Sequence, residues 1–128
     1  WQLLYRLAGV DHLHVHGMGG KFADASDEVA HAARLCLTRL GAEDDRVMPV
    51  FSSGQWAGTL GPTYDRIGKT RDFMFLAGGG ILAHPDGPSA GIDSLRAAWD
   101  AVSDGVDLRN RAASVPVLAR ALEMFGAR

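Results

Sequence analysis

The sequence holds one cysteine, Cys36, so no disulfide can form within the chain. A single thiol fits a reducing compartment, and a cytoplasmic location is the expectation. Cys36 falls within an apolar pattern of helical spacing, which predicts a buried, inert side chain. Neither sign of charge dominates: 13 Lys and Arg face 15 Asp and Glu, a net charge of −2. The basic residues are scattered, with no aromatic-basic stripe, so neither nucleic acid nor a membrane surface is an expected partner. No apolar run approaches the ~20 residues of a membrane span. No signal-peptide pattern is present. The sequence opens on Trp1 rather than Met, which suggests a piece of a longer protein. A length of 128 residues allows one domain at most.

What the sequence has in excess is glycine, 16 residues, and it is clustered. Gly17, Gly19 and Gly20 form one group, Gly54, Gly58 and Gly61 a second, Gly78, Gly79 and Gly80 a third. Each group follows a short apolar run. The first run is Val10 to Val15, with a helix over residues 1–8 leading into it and Gly9 as the stop. After the glycine loop, Ser26 caps a helix with Asp27 and Glu28 in its first turn. That helix is predicted to run to about Leu40, with Gly41 ending it. The second run, Val47 to Phe51, suits a strand buried on both faces, although Pro49 argues against a central strand. A loop over Ser52 to Leu60 and a short helix from Pro62 to Gly68 complete the unit. The third run is Phe73 to Ala77. It leads into the glycine triplet and a long helix from Ser89 to Gly105, with Ile92, Leu95, Ala98, Trp99 and Val102 at helical spacing. A final helix over Pro116 to Phe125 carries Leu118, Ala121, Leu122 and Phe125 on one face.

Apolar strands alternating with amphipathic helices predict an α/β fold, a parallel sheet with right-handed crossovers. Three units cannot close a barrel. They would leave open strand edges and an uncovered sheet face, so further units are expected upstream, while the end after the last helix reads as natural or nearly so.

In such folds chemistry sits at the C-terminal ends of the strands. Gly78, Gly79 and Gly80 leave a strand end free of side chains, where backbone N–H groups can face a phosphate. The alternative is a tight turn needing positive φ. Ser52 and Gly54 offer a hydroxyl and a backbone N–H to a substrate, or form an ordinary turn. Lys21 ends a glycine-hinged loop, as on a lid closing over an anionic substrate, or it is a solvated surface lysine. His12, His14 and His16 alternate and would share one strand face. A His-x-His pair can hold zinc, but without nearby Asp, Glu or Cys a substrate or phosphate contact suits His14 better, and a structural role suits His12. His84, in the turn His84-Pro-Asp-Gly87, either anchors that turn or joins the chemistry.

Three stretches then carry a family resemblance. Gly9-Val-Asp-His-Leu-His14, with Lys21 seven residues on, resembles the sixth strand and mobile sixth loop of the RuBisCO large subunit. Pro49-Val-Phe-Ser-Ser-Gly54 resembles the seventh strand end. Phe75-Leu-Ala-Gly-Gly-Gly80 with Ala83-His-Pro85 resembles the eighth strand and its phosphate loop. The order and spacing are compatible over about 110 of the 128 residues. The resemblance implies the last three β/α units of a (β/α)8 TIM barrel plus a C-terminal helical extension, with residues 1–128 covering barrel strands six to eight. It implies that Lys21 is the catalytic loop lysine and that His14, Ser52, Gly54, Gly78 and Gly79 bind substrate or phosphate.

Two runs depart from the true carboxylases. Gln55-Trp-Ala-Gly-Thr-Leu-Gly61 replaces a histidine- and tryptophan-containing run, and Asp86 stands where carboxylases carry Trp. Both resemble the RuBisCO-like (form IV) branch, whose members rework phosphorylated ketose-type substrates without fixing CO2. The Gln-Trp run, Lys21 and the His-Pro-Asp-Gly turn point to the 3-oxo-isoapionate-4-phosphate decarboxylases or transcarboxylase/hydrolases. Alternatives are a 5-methylthioribulose-1-phosphate isomerase or enolase type, a true carboxylase, a non-catalytic phosphate-binding remnant, and an unrelated barrel with a histidine-bound metal. The resemblance further implies a Mg2+-stabilised enediolate, with the Mg2+ ligands upstream and none in this chain, and a homodimer whose partner completes the site. On this reading the chain alone is inactive.

Overall fold

The structure is a computed structural model that describes residues 2–19, 25–41 and 44–127. The elements run α1 (Gln2–Leu7), β1 (His12–His14), α2 (Ser26–Cys36), β2 (Met48–Phe51), α3 (Ala57–Arg66), β3 (Met74–Phe75), α4 (Gly78–Leu82), α5 (Pro88–Asp104), α6 (Leu108–Ala112) and α7 (Pro116–Phe125). The three strands form a parallel sheet in the order β1-β2-β3. The expected alternation of strand and helix is therefore present, with α2 and α3 as the crossovers. No helix among the described residues is long and apolar enough to cross a membrane.

β2 is the central strand of the three, and Pro49 lies within it. The bonding pattern explains why proline is tolerated. Met48 N–H and the Val50 carbonyl bond toward β1, whereas the Phe51 carbonyl accepts from Leu76 on the β3 side. Residue 49 thus turns its nitrogen toward β3. Its register partner there is one residue ahead of Met74, where β3 begins. The missing donor faces a position the ladder has not yet reached.

Register also sorts the side chains. His12 pairs with Met48, and His14 with Val50, which pairs with Met74. Met48, Met74 and Leu76 are exposed, so this face is largely uncovered. The opposite face carries Leu13, Pro49, Phe51 and Phe75. Phe51 is fully buried and packs edge-on against Phe73, with ring centres 5.8 Å apart. Val29, Ala33 and Cys36 of α2 cover that face. A second core joins α3, α5, α6 and α7 around Leu60, Ala98, Leu118 and Ala121.

Several boundaries differ from expectation. α2 begins at Ser26 with Ala25 as its cap, and it ends at Cys36, not near Leu40. Arg6 is buried beside the helix end. Its guanidinium donates to the carbonyls of Leu35 (2.9 Å) and Asp45 (2.6 Å), to the Thr38 carbonyl and to the Asp45 carboxylate (2.9 Å). These bonds tie the end of α2, where the Leu35 carbonyl also accepts from Thr38 N–H (3.2 Å), to the segment before β2. α3 starts at Ala57, five residues before Pro62, which lies inside the helix. The glycines of its first turns mislead: Gly58 is small because the Trp56 ring occupies the place of a side chain, 2.3 Å from an added Cβ. α4 and α6 are unanticipated. In α5 the deepest residues are small, Ala90, Gly91, Ser94, Ala97, Ala98 and Ala101, while Ile92 is exposed. α7 and the left-handed Gly105 after α5 (φ 66°) match the sequence reading.

Candidate functional site

The C-terminal ends of β1 and β2 meet through side chains. His14 Nδ1 lies 3.1 Å from Ser52 Oγ, so a hydroxyl and an imidazole 38 residues apart in sequence share one hydrogen bond at the open end of the sheet. His14 is exposed and Ser52 half-buried. The strand ends after His14, and His16 sits beyond it in a left-handed conformation (φ 63°). His12 and His14 therefore share a face as the alternation predicts, but His16 does not continue it. Among the described residues no three His, Cys, Asp or Glu side chains are placed to share a metal ion.

The loop after β2 reverses sharply at Ser53 (φ 68°) and Gly54 (φ 78°). Gly54 thus has a conformational reason to be glycine. The reversal sends the Gln55 side chain back beneath the loop, where it is 1% exposed. There it donates to the Ser53 carbonyl (3.2 Å) and accepts from the Thr59 hydroxyl (3.1 Å). Two glycines from the other strand ends close on it. A Cβ at Gly17 would fall 1.8 Å from Gln55 Nε2 and 2.4 Å from the Ser52 carbonyl. A Cβ at Gly80 would fall 2.6 Å from the Gln55 carbonyl and 2.7 Å from Trp56 Cα. All three strand-end loops are packed backbone to backbone around this point. Gln55 is absent from the site residues expected from sequence, because polarity alone does not distinguish a buried glutamine from a surface one.

The glycine triplet is not a tight turn. It forms the first turn of α4, and none of the three has positive φ. Gly80 is buried and needed for packing. Gly78 and Gly79 are exposed, and among the described residues nothing lies within 4 Å of where a Cβ would stand. Lys21 lies outside the described residues. His84 is 4% exposed, its Nε2 donating to the Val117 carbonyl (2.9 Å) and its Nδ1 accepting from Asp86 N–H (3.1 Å). Both ring nitrogens are used to join the turn after α4 to α7, so His84 is the turn anchor.

The perturbed titrating groups lie elsewhere. The Asp44 carboxyl is held far below the usual carboxylate range, chiefly by the Arg46 guanidinium. Asp45 is lowered by the Leu40 N–H and by Arg6. Burial raises the Cys36 thiol, in keeping with an inert side chain. Asp44 and Asp45 precede the N-terminal end of β2, the opposite end of the sheet from His14 and Ser52, so these shifts serve the fold.

The chain matches the family of the ribulose bisphosphate carboxylase large chain, catalytic domain, over residues 1–125. It is 55% identical over 126 residues to an uncharacterized ribulose bisphosphate carboxylase-like protein of Bordetella bronchiseptica, covering 95% of this chain and 30% of that protein. It is 49% identical over 123 residues to the 3-oxo-isoapionate-4-phosphate transcarboxylase/hydrolase of Xanthobacter autotrophicus, again covering 95% and 30%. The crystal structure of a rubisco-like protein from Burkholderia fungorum superposes with a TM-score of 0.91 at 55% identity, covering 95% of this chain and 30% of that one. The chain thus spans about 30% of the length of these relatives. Its three β/α units are the C-terminal part of a (β/α)8 barrel, followed by the helical extension α6 and α7. The open sheet face is the face such a barrel turns inward, and the chain belongs to the RuBisCO large-chain family, on its RuBisCO-like (form IV) branch.

Proposed function

We propose that this chain, as barrel strands six to eight, supplies the phosphate- and substrate-binding edge of a RuBisCO-like enzyme acting on a phosphorylated oxo-sugar acid. The reaction class we favour is that of the 3-oxo-isoapionate-4-phosphate transcarboxylase/hydrolases, on the 49% identity to one such enzyme. The observation that carries the binding role is the pair Gly78 and Gly79. Glycine in a helix costs about 1 kcal/mol relative to alanine. Here the backbone conformation does not ask for it, and among the described residues no neighbour packs where a Cβ would stand. Close approach of a ligand to the backbone amides is a physical reason for two such glycines at an open strand end. His14 and Ser52, already bonded to each other, add an imidazole and a hydroxyl at the neighbouring ends. Gly54 contributes its backbone.

Lys21 is proposed as the cation that closes over the reacting centre. Its place in the sequence, seven residues after His14, supports this. Magnesium takes about six oxygen ligands, usually including carboxylates. The described strand ends carry histidine, serine and glycine, which do not fit such a site. If the whole enzyme uses Mg2+, other segments hold it, and the role of these residues is to bind and orient the substrate. A homodimer is proposed for the whole protein.

The test is Lys21→Ala in the full-length protein, assayed with 3-oxo-isoapionate 4-phosphate. Turnover should fall by several orders of magnitude while affinity for the ester changes little. Unchanged turnover removes Lys21 from the reaction. Activity of the wild type on 5-methylthioribulose 1-phosphate instead would favour the isomerase reading.

A further inference from the structure

We propose that Gln55 is a positioning residue: its buried carboxamide locks the loop after β2 onto the glycine loop after β1 and so holds Ser52 within hydrogen-bonding reach of His14. The inference rests on the reading that this edge is the substrate site, and it deepens that reading.

Three observations carry it. First, Gln55 is 1% exposed yet polar. Burying an amide is unfavourable unless both its ends are bonded. Both are: Nε2 to the Ser53 carbonyl and Oε1 to the Thr59 hydroxyl. A core needing only volume would be served as well by Leu or Met. Second, the carboxamide touches the loop before it as well as its own. Gly17 has no room for a side chain because Gln55 Nε2 and the Ser52 carbonyl fill that space. Gly80 presses on the Gln55 backbone from the third strand end. Third, the pair being held has little support of its own. β1 is three residues long, and the Ser52 N–H reaches the His16 carbonyl only at 3.4 Å. Thr59 closes the chain of contacts by also accepting from Trp56 N–H (3.2 Å) at the start of α3. A shift at Gln55 therefore moves Ser52, the reversal at Ser53 and Gly54, and the exit of β1 together.

The experiment uses the full-length protein with 15N-labelled histidine. Gln55→Met keeps the volume and removes both bonds. Ser52→Ala provides the reference for His14 without its partner. Gln55→Met should move the His14 Nδ1 resonance most of the way to its position in Ser52→Ala. Affinity for inorganic phosphate should drop about tenfold or more, as expected when a contact is misplaced. Thr59→Val, which removes the hydroxyl that bonds Gln55 Oε1 and Trp56 but keeps the Gln55 Nε2 bond to the Ser53 carbonyl, should give a smaller shift in the same direction. Folded Gln55→Met and Thr59→Val proteins with a wild-type His14 resonance would overturn the proposal. So would failure of both to fold, since Gln55 would then be a requirement of the core. A His14 response in a protein that binds no phosphate would uphold the positioning role and reject the substrate reading.

Discussion

His14 and Ser52 face each other across the ends of two parallel strands, Nδ1 to Oγ at 3.1 Å. Neither is fully buried, so a ligand can reach both. Ser52→Ala should weaken binding of a phosphorylated substrate to the full-length protein by roughly 1 kcal/mol, about fivefold, the net worth of a neutral hydrogen bond. The melting temperature should be nearly unchanged, because the bond lies at the open end. Titration calorimetry beside a thermal melt separates the two. A large loss of stability with intact affinity would make the serine a structural residue.

The three glycines of the triplet should behave oppositely. Gly78→Ala and Gly79→Ala place a methyl in open space within a helix, and stability should rise by up to about 1 kcal/mol each. Gly80→Ala drives a Cβ to 2.6 Å from a backbone carbonyl and should destabilise by about 2 kcal/mol. If Gly78 and Gly79 serve a phosphate, the two stabilising variants lose affinity for it. Denaturant unfolding paired with phosphate binding reads both effects. Full affinity in both would remove the observation on which the binding role stands.

Asp45 predicts an acid limit. Its carboxyl is lowered by the Leu40 N–H and by Arg6, so it titrates below an unfolded carboxyl near pH 4. A depressed folded pKa adds stability above that unfolded value, and this is lost as pH falls through about 4 and below. Asp45→Asn should flatten the decline in stability as pH falls below that unfolded value. A slope equal to wild type would contradict it. Arg6→Met removes the donor of the Asp45 carbonyl and the ion-pair partner of the Asp45 carboxylate and should cost about 3 kcal/mol at neutral pH.

His84 is predicted to matter for folding only. His84→Ala empties a buried position and removes the ring's bonds to the Val117 carbonyl and from the Asp86 N–H, costing about 2 kcal/mol. Turnover per folded molecule of the full-length protein should stay within about twofold of wild type, the scatter expected when no transition-state contact is lost. A hundredfold loss with normal stability would put His84 in the chemistry.

Much of this was legible in the order of residues. α7 has the bounds its apolar stripe and Pro116 imply, and Gly105 stops α5 as a left-handed cap. The strand-glycine-helix rhythm names the parallel fold because period and punctuation are local properties. The apolar pattern of α2 runs on toward Leu40, whereas the helix ends at Cys36, where Arg6 of the preceding helix bonds the Leu35 and Thr38 carbonyls, a contact no local pattern shows. α3 starts earlier than its sequence suggests, because Pro62 and two glycines read as a break, whereas Trp56 and Val102 fill the space beside those glycines. The helix that Gly78 and Gly79 open is not legible, since a triplet of glycines carries no periodicity to reveal one.

By itself, then, the sequence determined the rhythm of the chain, its family, and which residues stand at the strand ends. Those follow from propensity, spacing and motif, all short-range. Only the tertiary structure decided that His14 meets Ser52, that Gln55 lies under both loops, that His84 is spent on Val117, and which glycines are open. Each is a contact between segments distant in sequence, or a statement about empty space. Packing sets both, and no local pattern records them.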